Sequence, residues 1–210
     1  DRAGEASSLM ELGNLYDAMG RLEDATRFYR QAADVYVELK DLIHEGVTRS
    51  NLADTLVKLG RFDDARREAR RAIECRKPYG HVAELWKTWA ILHDLETAAG
   101  NPQAAAGARQ EAMRLFLAYR RDGGENHDDG AQLCALVGNA VRTGDAAGAA
   151  GVLRELSGRA DLPDRAKTLI PKLQAVLAGG RDPALADDPA LYYTDAVELR
   201  LLVEGLKGRS

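Results

Sequence analysis

Leu12-Gly13-Asn14-Leu15-Tyr16-Asp17-Ala18-Met19-Gly20-Arg21-Leu22-Glu23-Asp24-Ala25 is answered forty residues later by Leu52-Ala53-Asp54-Thr55-Leu56-Val57-Lys58-Leu59-Gly60-Arg61-Phe62-Asp63-Asp64-Ala65. A third version runs from Leu92 through Gly100 to Ala105. Ala32, Ala72 and Ala112 extend the match to twelve residues past each glycine. A fixed period of this length marks a solenoid, in which each unit buries its apolar face only against its neighbours. A chain of that kind presents a surface.

Working outward, the first unit predicts helices over about 6–19 and 22–39, with Gly20 free to take the left-handed conformation that closes a helix. In the second of them Leu22, Ala25, Thr26, Tyr29, Ala32, Ala33 and Tyr36 recur at three- and four-residue steps, forming one stripe. Unit two repeats the pattern over about 43–59 and 62–77, and Pro78 stops its second helix. Unit three covers about 81–99 and 102–121, with Pro102 well placed at a first helical position. An irregular loop follows, Arg121 to Gly130. Leu133, Leu136, Ala140 and Gly144 then match Trp89, Leu92, Glu96 and Gly100 at a displaced spacing of 44, which makes a degenerate fourth unit. Beyond Gly158 the repeat is lost. A helix carrying Ala166, Leu169, Ile170, Leu173 and Val176, bent at Pro171, and a last helix over about 189–207 are expected to cap the array. The organisation predicted is three units over 1–121, loop and degenerate unit over 122–158, and a helical extension over 159–210.

Composition supports an all-α reading. In 210 residues, 30% are charged and only 6% aromatic, which suits stacked helices better than a sheet sandwich. The net charge of −4 supplies no global field for nucleic acid or an anionic membrane. Two cysteines, Cys75 and Cys134, are too few for a disulfide framework and predict a cytoplasmic protein with reduced thiols. No apolar run is long enough to span a bilayer. The start, Asp1-Arg2-Ala3-Gly4-Glu5, has no apolar core of a signal peptide, and the expectation is a segment of a longer protein.

The aligned positions resemble the tetratricopeptide repeat: a leucine followed by the small residues Gly13 or Ala53, then Tyr16, Gly20, Ala25, Tyr29 and Ala32, with Trp89 opening the pattern in unit three. The period exceeds the usual 34 and is similar to the longer repeats of kinesin light chains and of bacterial signalling proteins, including sensor arms of STAND-type ATPases. His93 and Glu96 depart from the pattern, which leaves the packing of unit three open. The resemblance implies a right-handed superhelical solenoid of antiparallel helix pairs with a C-terminal helical cap. It further implies a concave groove lined by the first helix of each pair. By position that groove would comprise Met10, Asn14, Asp17, Ser50, Asp54, Lys58, Lys87, Ala90, Asp94, Thr97 and Arg142, with Cys134 alongside. Asn14, Asp54 and Asp94 would stack as a polar ladder able to bind an extended, basic peptide.

Other chemistry is not indicated. The basic run Arg66-Arg67-Glu68-Ala69-Arg70-Arg71, continuing to Arg76-Lys77, lacks the interleaved aromatics that stack bases, and reads as a solvated outer face with local acidic pairing. The loop over 122–129 holds four carboxylates and His127 without calcium-loop spacing, and reads as a flexible hinge. His44, His81 and His93 have no nucleophile beside them. Tyr16, Tyr29, Tyr36, Trp86 and Trp89 sit at core spacing. The expected function is protein or peptide recognition, without catalysis, cofactor or metal. A regulatory arm for an ATPase or protease, or a self-association module forming homo-oligomers, are the alternatives.

Overall fold

The computed structural model describes residues 1–207, with the side chains of His81 and Val82 outside the described set. The chain divides into two compact units, 1–115 and 116–210. Among the described residues there are helices and turns and no strand.

The first unit holds α1 (Arg2–Ala18), α2 (Leu22–Leu39), α3 (Leu42–Lys58), α4 (Phe62–Arg76), α5 (Leu85–Ala98) and the start of α6 (Pro102–Arg121). Consecutive helices from α1 to α5 pack against one another, and α3 also touches α1 and α5. Gly20, Gly60 and Gly100 each adopt φ of +71 to +74°. In each case the glycine N–H bonds three residues back and the next N–H five back: Gly20 to Asp17 at 2.9 Å and Arg21 to Tyr16 at 2.8 Å in the first. Such a closure satisfies carbonyls the helix would otherwise orphan, and its left-handed glycine carries no Cβ penalty.

The alanines at each period are the closest-packed positions: Ala25, Ala65, Ala32, Ala72 and Ala112 are fully buried, and Ala105 nearly so. One position shows how the repeat trades volume. A Cβ on Gly13 would stand 2.5 Å from the Tyr29 ring, so a large ring there requires glycine. Forty residues on, both members are alanines, Ala53 and Ala69, and both are buried.

Unit three departs from the expected helix limits. Its first helix starts at Leu85, because Lys77–Ala83 forms 3-10 turns broken at Gly80 (φ +60°), and Glu84 takes a left-handed φ of +45°. His93 and Glu96 nevertheless pack. His93 Nδ1 lies 3.0 Å from the Ala105 carbonyl oxygen. Buried Glu96 accepts from Arg66 Nε at 2.6 Å and Nη2 at 3.0 Å, and from Asn101 Nδ2 at 2.8 Å. It stands where unit one has Tyr16, which stacks on Phe28 at 5.1 Å.

The second unit comprises α7 (Asp129–Thr143), α8 (Ala146–Ser157), α9 (Asp164–Leu177), 3-10 turns at Pro183–Ala186, and α10 (Tyr193–Lys207). Pro171 lies inside α9 without ending it. The final helix begins at Tyr193, later than the expected 189, after the turn that follows Pro189. Every residue from Tyr193 to Leu199 is buried, including Thr194, Asp195 and Glu198. Asp195 accepts two bonds from Arg165, from Nε at 2.5 Å and Nη2 at 2.6 Å. That same Nη2 also reaches Asp128 Oδ2 and Thr194 Oγ1, each at 2.7 Å. Gly130 makes the junction possible, since a Cβ there would lie 1.8 Å from Asp195 Oδ1. Segment 122–128 is fastened rather than hinge-like. Tyr119 Oη donates to the Glu125 carbonyl oxygen at 3.0 Å, Asn126 Nδ2 to Glu198 Oε1 at 3.0 Å, and Gln132 Nε2 to the His127 carbonyl oxygen at 2.8 Å.

Candidate functional site

The residues expected to line a groove divide by unit. Those on α1, α3 and α5 fall within the first; Arg142 is exposed on α7 of the second, and Cys134 there is buried. Burial pushes the thiols of both Cys75, to about 11, and Cys134 upward, which keeps them protonated and unreactive.

Within the first unit the polar residues are cross-braced. Asn14 Oδ1 accepts from the Tyr29 hydroxyl at 2.7 Å and from Asn51 Nδ2 at 3.2 Å. Burial raises the Tyr29 phenol to about 12, so it stays a donor. Asp17 accepts from Thr55 Oγ1 at 2.9 Å and Lys58 Nζ at 2.7 Å. Lys58 reaches Asp54 Oδ2 at 2.9 Å as well, joining the two carboxylates. Burial disfavours the Lys58 charge, but its bonds to Asp17 and Asp54 outweigh that and raise its pKa.

The row is therefore not a direct stack of Asn14, Asp54 and Asp94. It runs Asn14–Asn51 and Asp17–Lys58–Asp54 between α1 and α3, with Thr55 also donating to Asp17. Asp94 on α5 has no hydrogen bond or ion pair among the described residues. Burial, with the charge of Asp54 nearby, holds its carboxyl above the ordinary range, although its outer edge reaches solvent.

Ser50 was expected on the open face and is instead buried. Its Oγ lies 2.9 Å from Thr88 Oγ1, so it belongs to the α3–α5 contact. The cause is its small size at a position where the helices approach; the larger Met10 at the equivalent place stays half-buried against the core. Lys87 and Thr97 are exposed and Ala90 half-buried; Lys87 Nζ pairs with Glu84 at 2.7 Å.

The basic run is largely absorbed by partners. Arg66 holds Glu96, Arg67 pairs with Asp64, and Glu68 accepts from Arg49 at 2.6 Å. Arg71 joins Arg49 on the buried carboxylate of Glu45, at 2.9 and 2.8 Å. Arg76, read as part of an exposed face, is buried. No three metal-ligating side chains converge among the described residues, and no helix there is long and apolar enough to cross a membrane.

Helix pairs stacked at a constant period, with polar side chains along the first helices, define a helical repeat scaffold. Residues 4–77 match the family model described as Tetratricopeptide repeat. The chain carries that match over α1 to α4, its first two helix pairs. No curated protein matches it. Repeats of this family generally mediate protein–protein interaction and are a non-catalytic scaffold.

Proposed function

We propose that the first unit binds an extended protein segment along the first-helix face of α1, α3 and α5, and that a basic side chain of that segment pairs with Asp94. The observation that carries this is the contrast along the face. Asp17 and Asp54 share Lys58, whereas Asp94, exposed on α5 with the Asp54 charge nearby, has no lysine or arginine partner among the described residues. An incoming lysine or arginine would gain a charge-assisted bond and relieve the Asp54–Asp94 repulsion.

A fluorescein-labelled peptide of alternating glycine and lysine, followed by anisotropy, tests the reading. Asp94→Asn should weaken binding about 10- to 150-fold, the roughly 1.5–3 kcal/mol of a charged hydrogen bond. Asp34→Asn, exposed on α2, should change little. Equal affinity for both variants would remove Asp94 from the site. Because ionised Asp94 is strained in the folded state, the same variant should be slightly more stable than wild type at neutral pH.

Self-association is a second reading, supported by α1. Leu12, Leu15 and Met19 are 38, 55 and 59% exposed on it, whereas Leu52 and Thr55, forty residues on, are buried. A surface covered between repeats is open at this helix. Sedimentation of wild type and Leu15→Glu distinguishes the cases: a dimer lost on substitution supports association through α1, and a monomer throughout rejects it.

A further inference from the structure

Arg76 ends α4 with 6% of its surface exposed. Its only hydrogen bond among the described residues is a long one, from Nη1 to Thr88 Oγ1 at 3.3 Å. Its Nε is buried and without a partner. Other arginines at helix contacts have a carboxylate: Arg49 and Arg71 hold Glu45, Arg66 holds Glu96, and Arg165 holds Asp195. An ion removed from water without a counter-charge costs several kcal/mol. Burial accordingly lowers the Arg76 pKa, against the pull of Glu84, whose own carboxylate is turned to Lys87.

The surroundings of the guanidinium are small and polar. Gly46 on α3 lets the arginine stem cross, since a Cβ there would lie 2.3 Å from Arg76 Cγ. Ser50 and Thr88 meet at the guanidinium, their oxygens 2.9 Å apart. Two hydroxyls carry two protons, one of which is spent between them, and their one further bond is the one Thr88 accepts from Arg76. One O–H, the Nε–H and the second Nη therefore remain as donors around one positive charge.

We propose that Arg76, Ser50 and Thr88 form a subsite for a single oxyanion with two coplanar oxygens, a carboxylate, which supplies the missing counter-charge to the fork of the guanidinium. The subsite lies at the α3–α4–α5 contact and stands independently of the Asp94 reading. A carboxylate fits better than a phosphate dianion, because one cation with Glu84 nearby offers no second positive charge.

The test is thermal unfolding followed by tryptophan fluorescence, since Trp86 and Trp89 lie in the same unit. Chloride is exchanged for acetate, inorganic phosphate or the blocked peptide acetyl-Gly-Glu-Gly-amide at constant ionic strength. Acetate should raise the wild-type midpoint by about 3–6 °C, the effect of ligand at a few times its Kd on a unit of this size. Arg76→Met keeps the stem over Gly46 and removes the charge. It should lose the acetate effect and melt higher than wild type in chloride. Ser50→Ala with Thr88→Val should retain the charge and weaken the response. In uniformly labelled wild type the Arg76 Nε–H resonance should shift saturably with acetate, a readout that needs no variant to fold. A larger rise with the peptide than with acetate assigns the carboxylate to a partner's side chain; an equal rise assigns it to a free small anion. Preference for phosphate over both overturns the carboxylate assignment. Equal stabilisation of wild type and Arg76→Met, or an unmoved Nε–H resonance, overturns the site.

Discussion

The two units solve the same problem, burying charge inside a helical array, in opposite ways. In the first, ion pairs are distributed. Arg49 and Arg71 converge on Glu45, Arg66 crosses to Glu96, and Lys58 ties Asp17 to Asp54, each fastening one helix to another. In the second, charge is concentrated. Arg165 of α9 binds Asp195 of α10 and Asp128 at the cap of α7, so one guanidinium serves three helices. A repeated interface can spread its polar contacts because each contact recurs. A non-repeating cap has no such recurrence: it has Arg165 and the Arg120–Glu198 pair between α6 and α10 at 2.7 Å, and of these Arg165 joins the most helices.

That contrast is broken most directly at Arg165. Arg165→Met leaves Asp195, fully buried, without its cation and without two hydrogen bonds. Loss of one member of a buried pair costs about 3–5 kcal/mol. Urea unfolding followed by circular dichroism should show that loss, while the tryptophan signal reads the first unit alone. A cost below about 1 kcal/mol would mean that apolar packing by Leu169, Ile170, Leu173 and Leu199 holds the second unit without the junction.

The distributed side of the comparison is sharpened at Glu45. Burial pushes its carboxyl up, but the bonds from Arg71 and Arg49 outweigh that and hold it below the ordinary range. The folded value lies below the unfolded one, so the pair's contribution is complete above about pH 4.5 and fades as pH falls through the folded value. Glu45→Gln should cost about 1–3 kcal/mol at neutral pH, less than Arg165→Met because the substituted amide oxygen still accepts. It should also flatten the acid slope of the tryptophan midpoint. An unchanged slope would mean that other carboxylates set it.

How much of this was legible in the sequence follows from what periodicity encodes. The glycine closures, the alanine stripe and the helix pairs were readable, because each reflects a local constraint that recurs at a fixed distance. Ser50 was misplaced because repeat register identifies a direction on a helix and not how closely the next helix approaches. Asn51 and Thr55 went unnoticed for a related reason: a hydroxyl or amide at an inward position looks like a neutral substitution until its partner, Asn14 or Asp17, is seen opposite. Arg76 was hidden inside a run of basic residues of which Arg66, Arg67 and Arg71 find carboxylates. The available signal was Gly46, a glycine within a helical pattern, which marks a close approach. For Arg165, Asp128 and Asp195 no period exists, and their sequence separations of 30 and 37 carry no mark.

The finest comparison lies within the repeat itself, between Lys40 and Gly20. Both close a helix with the same pair of bonds, their own N–H to the carbonyl three back and the next N–H to the carbonyl five back, and both have positive φ, +58° and +72°. Glycine adopts that conformation without strain, whereas a Cβ meets the neighbouring carbonyl at a cost of roughly 1–2 kcal/mol. At Lys40 the N–H still bonds the Val37 carbonyl oxygen at 3.1 Å, so the turn is imposed by the closure rather than by the residue. Lys40→Gly should therefore raise stability, by about 0.5–1 kcal/mol once the greater freedom of glycine in the unfolded chain is subtracted. The tryptophan midpoint in urea measures it. A loss instead would mean that the Lys40 side chain contributes a contact worth more than the strain, and that the two turns are alike in backbone only.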